Sequence, residues 1–203
     1  MTRIYFVRHG ETEWNASLRY QGHADIPLSD AGIAQARALS NRLKTTQFVA
    51  FYASDLSRAL QTAEIVAEPH GIRVQSLPQF RETHFGEWEG LTYKEIVDKY
   101  PQDMRNWQSN PVGTVIPGGE SLGHVATRVN QGLAQVLEKH PEGNVLVAAH
   151  GGTIRVLLTD ILGMELSHYW KLRQDNTAIN IVDFYGEKAI VATINDIHHL
   201  DKE

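Results

Sequence analysis

Four side chains able to bind or attack an anion follow short apolar runs in this chain. Arg8 and His9 follow residues 4–7, Arg58 lies in S-D-L-S-R-A just after residues 48–53, and His150 follows residues 145–149. Each histidine is trailed by glycine, His9-Gly10 and His150-Gly151-Gly152, which lets the backbone come close to a ligand. Charged or chargeable groups at the end of a buried strand need a partner, and these four call for an anion. Helix N-termini favour phosphate through free N–H groups and a partial positive charge, and arginine adds a bidentate fork. Two arginines and a second histidine around one phosphoryl group would stabilise the charge on its oxygens during transfer. The chain has no cysteine, no P-loop lysine and no Asp-rich magnesium motif, which makes His9 the best candidate nucleophile. That role requires its other ring nitrogen to be pinned, with a backbone carbonyl as the expected acceptor. A leaving alkoxide also needs a proton, and Glu82, in F-R-E-T-H-F-G-E-W-E-G at the end of a strand, is the candidate general acid.

These groups converge only if the strands that carry them are neighbours. Continuous apolar runs at 4–7, 48–53 and 145–149 read as strands buried on both faces, the habit of parallel sheets. Helical patterns follow each. Ser29 can cap a helix bearing Ile33, Ala36, Leu39 and Leu43, and residues 56–67 repeat the pattern with Ala59, Ala63, Val66 and Ala67. A long helix is expected after Ser121, with Leu122, Val125, Val129, Leu133, Val136 and Leu137 on one face, ending before Pro141 and Gly143. Gly151 opens another, stopped by Gly163. Residues 179–185 and 189–194 flank Gly186-Glu187 as a hairpin expected at one sheet edge. The expectation is an α/β fold: a three-layer α/β/α sandwich with a mostly parallel sheet and an antiparallel edge hairpin. One domain spans residues 1–203, with a cap-like excursion at about 78–119 that holds a single short helix near residues 93–100. In open α/β sheets ligands bind beyond the carboxyl ends of the strands, where His9, Arg58 and His150 fall.

Composition narrows the alternatives. The 203 residues are 42% hydrophobic and 21% charged with a net charge of −5, and no basic stripe is present to track a nucleic acid. The lack of cysteine excludes disulfides, thiolate nucleophiles and Cys-bound zinc. No run approaches the roughly 20 apolar residues of a membrane span, and the apolar run after Met1-Thr2-Arg3 is too short for a signal peptide core. The expected protein is soluble and cytoplasmic, without cofactor, bound metal, nucleic acid or membrane partner. Its expected ligand is a small phosphate monoester, and its expected state is monomer or homodimer.

An ordered set of motifs strengthens this reading. R-H-G-E-T at 8–12 with Asn15, Q-G at 21–22, P-L-S-D-A-G at 27–32 and S-D-L-S-R-A at 54–59 with Gln61-Thr62-Ala63 come first. R-E-T-H-F-G-E-W-E-G at 81–90, P-G-G-E-S at 117–121 and H-G-G at 150–152 follow. Together they resemble the histidine phosphatase superfamily, the phosphoglycerate mutase-like group, over nearly the whole chain. The resemblance implies His9 as the phosphorylated residue and Glu82 as the proton donor. It implies Arg8, Asn15, Arg58 and His150 as the phosphate pocket, lined further by Gln21, Gly22 and Gly151. Within the group, F-G-E-W-E-G and P-G-G-E-S are similar to the phosphatase branch rather than to the cofactor-dependent phosphoglycerate mutases. Q-D-N-T at 174–177 with those two motifs resembles the bacterial alpha-ribazole-5'-phosphate phosphatases of cobalamin biosynthesis.

Competing readings exist. A metal-dependent hydrolase could use His9, His150 and Glu82 as ligands, but Arg8 and Arg58 would repel a dication. A non-catalytic module could bind a phosphorylated ligand in the same pocket, yet binding alone needs no proton donor. Asn15 could serve a turn, Glu87 and Glu89 could merely solvate a loop, and Trp88 and Trp107 read as packing. His23, His84 and His124 have no evident role, and His198-His199 reads as a solvated tail.

Overall fold

Alternate residues of the three central strands face opposite sides of one sheet. In the computed structural model, which describes residues 1–186 and 188–201, these strands are β1 (Thr2–Arg8), β2 (Phe48–Ala53) and β4 (Gly143–Ala149), with β3 (Val74–Ser76) outside β2. Ile4 and Phe6, Ala50 and Tyr52, and Val145 and Val147 enter one core cluster. Tyr5 and Val7, Phe51 and Ala53, and Leu146 and Ala148 enter the other. This period-two division into two apolar faces is why the runs read as continuous and hydrophobic. The sheet order is β3-β2-β4-β1-β5-β6, where β5 (Ile179–Tyr185) and β6 (Lys188–Asp196) form the antiparallel edge hairpin. Glu187, in the expected turn of that hairpin, lies outside the described residues, as do Lys202 and Glu203.

Helices cover both faces. Helix α2 (Asp30–Leu43) and α3 (Ser57–Ala67) pack Leu39, Leu43, Ala63 and Val66 on one side. They follow α1 (Glu13–Ala16), a four-residue helix capped by Thr12. Helix α6 (Leu122–Lys139) and α7 (Gly151–Ile161) pack Val125, Val129, Ile154 and Leu157 on the other. Ser29 accepts from the Gly32 N–H and Ser121 caps α6, as the sequence predicts. The three-layer α/β architecture with a mostly parallel sheet is therefore the one expected.

The excursion is more helical than its composition suggests. It holds α4 (Tyr93–Lys99) and also α5 (Pro101–Ser109). Pro101 ends the first helix and, needing no N–H at a first turn, opens the second. Trp88, Ile96, Met104 and Trp107 anchor it in the same core as α6. Trp88 is fully buried, edge-on to Trp107 at 6.1 Å, so both indoles pack rather than face a ligand. Trp88→Ala is expected to cost about 3–5 kcal/mol, read as a lower urea midpoint at unchanged slope.

Strand register sets the level of the site. Arg8 is opposite Ala149, and Val7 and Ala53 are both opposite Ala148. The chain leaves all three strands at one height, with the His9 N–H bonded to the Ala149 carbonyl and the Ser54 N–H to the Ala148 carbonyl. Because β4 lies between β1 and β2, His9, His150 and the start of α3 must meet.

Candidate active site

The His9 and His150 rings are 5.1 Å apart between centroids, both buried. His9 Nδ1 is 2.7 Å from the Gly10 carbonyl oxygen. A carbonyl can only accept, so Nδ1 carries the proton and Nε2 presents a lone pair. Burial first, then the charges of Arg58 and Arg8, holds the His9 imidazole well below its ordinary pKa. Burial, Arg58 and His9 do the same to His150. All four groups could carry charge by type, yet the fold keeps both imidazoles neutral and leaves the positive charge to the guanidinium groups.

Those guanidiniums are held by main-chain oxygens. Arg58 donates to the carbonyls of Gly22 at 2.8 Å and Ala24 at 2.9 Å. Arg8 donates to the Gln174 carbonyl at 2.8 Å, and burial lowers its pKa to about 10, which leaves it charged at neutral pH. Arg8 Nε, Arg58 Nε, both ring nitrogens of His150 and Gln21 Oε1 are buried without a hydrogen-bond partner among the described residues. Leaving such groups unpaired is costly, so their convergence marks where an incoming polar group completes the set. The available donors fit an anion.

Glu82 approaches from the excursion. Its Oε2 accepts from the Gly152 N–H at the start of α7 at 3.0 Å, and its Oε1 from its neighbour Thr83 at 2.8 Å. Strand β3 ends at Ser76 and a 3-10 turn over Pro78–Phe80 follows, so Glu82 lies in irregular backbone beyond the strand end where the sequence reading puts it. The cleft, about 340 Å³ in volume, is lined by Arg8, His9, Asn15, Gln21, Arg58, Glu82 and Gly151. Gly22 stands one step back, its carbonyl steadying Arg58. Asn15 proves to be both a turn residue and a wall residue. Its Oδ1 accepts from the Thr12 N–H, Thr12 Oγ1 and Asn176 Nδ2, and its backbone N–H donates to Thr12 Oγ1.

Several residues escaped the sequence reading. Arg155, Tyr169 and Trp170 line the same cleft. Arg155 stands one turn into α7, donates to the Leu172 carbonyl at 2.7 Å and lies over the Trp170 ring. The available signal was the spacing of Arg155 from Gly151, which places it on the face of α7 that opens beside the histidines. Q-D-N-T also gains a physical role, for Gln174 steadies Arg8 while Asn176 and Thr177 donate to the His9 carbonyl. Glu89 organises rather than solvates its loop, accepting from the N–H groups of His23, Ala24 and Phe85. His199 is half-buried against Thr177 Oγ1, so the C-terminal histidine pair is only partly a solvated tail.

Residues 4–197 match the histidine phosphatase superfamily (branch 1). The chain belongs to that superfamily. It is 33% identical over 200 residues to phosphoserine phosphatase 1 of Hydrogenobacter thermophilus, covering 98% of this chain and 95% of that protein. The solved structure of Bacillus stearothermophilus YhfR superposes with a TM-score of 0.93 at 32% identity, over 99% of this chain and 100% of that one. The alpha-ribazole phosphatase from Shigella flexneri gives a TM-score of 0.88 at 28% identity, over 96% of each chain. Among the described residues no helix is long and apolar enough to cross a membrane, and no group of three or more His, Asp or Glu is arranged to hold a metal ion.

Proposed function

We propose that this histidine phosphatase superfamily phosphatase hydrolyses a small phosphate monoester through a phosphohistidine on His9, without a metal ion. The observation that carries the reading is the His9 Nδ1 to Gly10 hydrogen bond. It aims an unprotonated Nε2 into a cluster of two guanidinium groups and a second imidazole. In the first step Nε2 forms a bond to phosphorus, the P–O ester bond breaks, and the leaving alkoxide takes a proton from the Glu82 carboxyl. In the second step water attacks phosphorus, the P–N bond breaks, and the Glu82 carboxylate accepts a proton from that water. Arg8, Arg58 and His150 bind the phosphoryl oxygens throughout, and a donor set fixed before the reaction avoids reorganisation during it. Asn15, Gln21 and the Gly151 amide complete the phosphate contacts.

The cleft lies at the small end of ligand pockets, which supports a small metabolite as substrate. Alpha-ribazole 5'-phosphate and phosphoserine are the two candidates drawn from the named relatives, and kcat/KM across both ranks them. We further propose that residues 78–119 act as a cap within a single domain, since they bring Glu82, Thr83 and Phe85 to the cleft. Phosphate release from p-nitrophenyl phosphate is expected to survive EDTA and dialysis without loss and to need no bisphosphate. A rate restored only by added metal would favour a metallohydrolase instead, and 3- to 2-phosphoglycerate exchange faster than hydrolysis would make the chain a mutase.

A further inference from the structure

We propose that Arg128 is a positioning residue for proton transfer, gripping the main chain of residues 79–82 from behind and thereby setting where the Glu82 carboxyl stands. The inference rests on the reading of Glu82 as proton donor. Glu82 lies between two 3-10 turns, Pro78–Phe80 and Gly86–Trp88, so neither a helix nor a sheet ladder fixes it. Half-buried carbonyls in such a segment still need donors.

One guanidinium supplies them. From the middle of α6, Arg128 Nη1 donates to the carbonyls of Gln79 at 2.8 Å and Arg81 at 2.6 Å, and Nη2 donates to that of Glu82 at 2.8 Å. Its remaining donors meet Glu120, Nη2 at 2.6 Å and Nε at 3.2 Å. Glu120 is the acid of P-G-G-E-S, and it also accepts from the His84 N–H. The side chains of Arg128 and Glu120 are only 20% and 15% exposed, so their geometry is held by packing as well as charge.

The opposite side of the segment is tied to α7. Thr153 Oγ1 donates to the Arg81 carbonyl at 2.7 Å, and the Gly152 N–H holds the carboxylate itself. His23 Nε2 completes the set 3.0 Å from the Glu82 carbonyl. Glu82 is thus clamped through its main chain by α6 and through its carboxylate by α7. Arg128 is absent from the cleft wall, so its hydrogen bonds reach the reacting groups through the main chain of Glu82. A planar fork with five donors can serve three carbonyls and a carboxylate at once, whereas an ammonium is a point donor that serves fewer.

The test compares β-glycerol phosphate, whose alkoxide needs a proton to leave, with p-nitrophenyl phosphate, whose phenolate does not. A misplacement of about 1 Å costs on the order of 100-fold. Arg128→Met is therefore expected to lower kcat/KM, which reports formation of the phosphoenzyme and not its shared hydrolysis, about 10- to 100-fold more on the alkyl ester than on the aryl ester. Arg128→Lys should recover part of that difference. Equal losses on both esters in the two variants would reduce Arg128 to a structural residue and overturn the inference. Should Arg128→Met fail to fold by circular dichroism, the ester ratio of Arg128→Lys decides, a ratio equal to wild type counting against the inference. Glu82→Gln in the same assay separates the two levels. If it discriminates between the esters while the Arg128 variants do not, only this inference falls; if it does not discriminate, the proton-donor reading falls with it.

Discussion

His9→Ala is expected to lower kcat/KM on any phosphate monoester by at least about 10⁴-fold, the scale of removing a covalent nucleophile. That factor corresponds to roughly 5.5 kcal/mol of transition-state stabilisation. The size of the loss follows from the absence of a substitute at that place. His150 is 5.1 Å away between ring centroids, and no carbonyl among the described residues orients its ring, since neither of its nitrogens has a partner there. The alanine side chain leaves the Arg8 and Arg58 contacts in place, because these run to the carbonyls of Gln174, Gly22 and Ala24. Phosphate affinity is therefore expected to fall far less than turnover. Steady-state kinetics with p-nitrophenyl phosphate and calorimetric binding of inorganic phosphate check both parts. A His9→Ala enzyme turning over at the wild-type rate would remove His9 as nucleophile.

Glu82→Gln is the second large effect. General acid catalysis contributes about 10²- to 10⁴-fold, so kcat/KM on an alkyl phosphate should fall by that much while kcat/KM on an aryl ester falls about tenfold or less. The glutamine oxygen can keep one of the two backbone hydrogen bonds, from Gly152 or from Thr83. Its amide NH₂ then faces the other N–H, donor against donor. This mismatch is the reason some loss is expected even on the aryl ester. The kcat/KM values on the two ester types decide the matter, and equal losses would show that Glu82 does not protonate the leaving group.

How much of this was legible beforehand depended on whether a feature was local. The strands at 4–7, 48–53 and 145–149 announce themselves because both faces of each are buried, and the sheet places His9 and His150 at one height because their strands are adjacent and in register. The pinned Nδ1 of His9 could be anticipated from chemistry alone, for a nucleophilic nitrogen needs its partner nitrogen occupied. The strand expected before Glu82 has no bounds in the sequence because β3 is only three residues, Val74 to Ser76, which carry too little pattern. Helix α5 was missed because the sequence around Trp107 is polar and Pro101 reads as a stop rather than a start. Arg128 and Arg155 were invisible for another reason. Each acts through main-chain carbonyls, of residues 79–82 and of Leu172, and a carbonyl leaves no trace in residue type. Glu89 belongs with them, since its partners are backbone N–H groups, and Glu120 joins it through the His84 N–H beside its pair with Arg128. The motifs F-G-E-W-E-G and P-G-G-E-S thus carry the scaffolding of the site more than its chemistry.

The covalent step is open to direct observation. Enzyme mixed with radiolabelled phosphomonoester, quenched in alkali during turnover and digested, should carry label on the peptide containing His9, attached at the imidazole. Label recovered on His150, Glu82 or any other side chain would contradict the account.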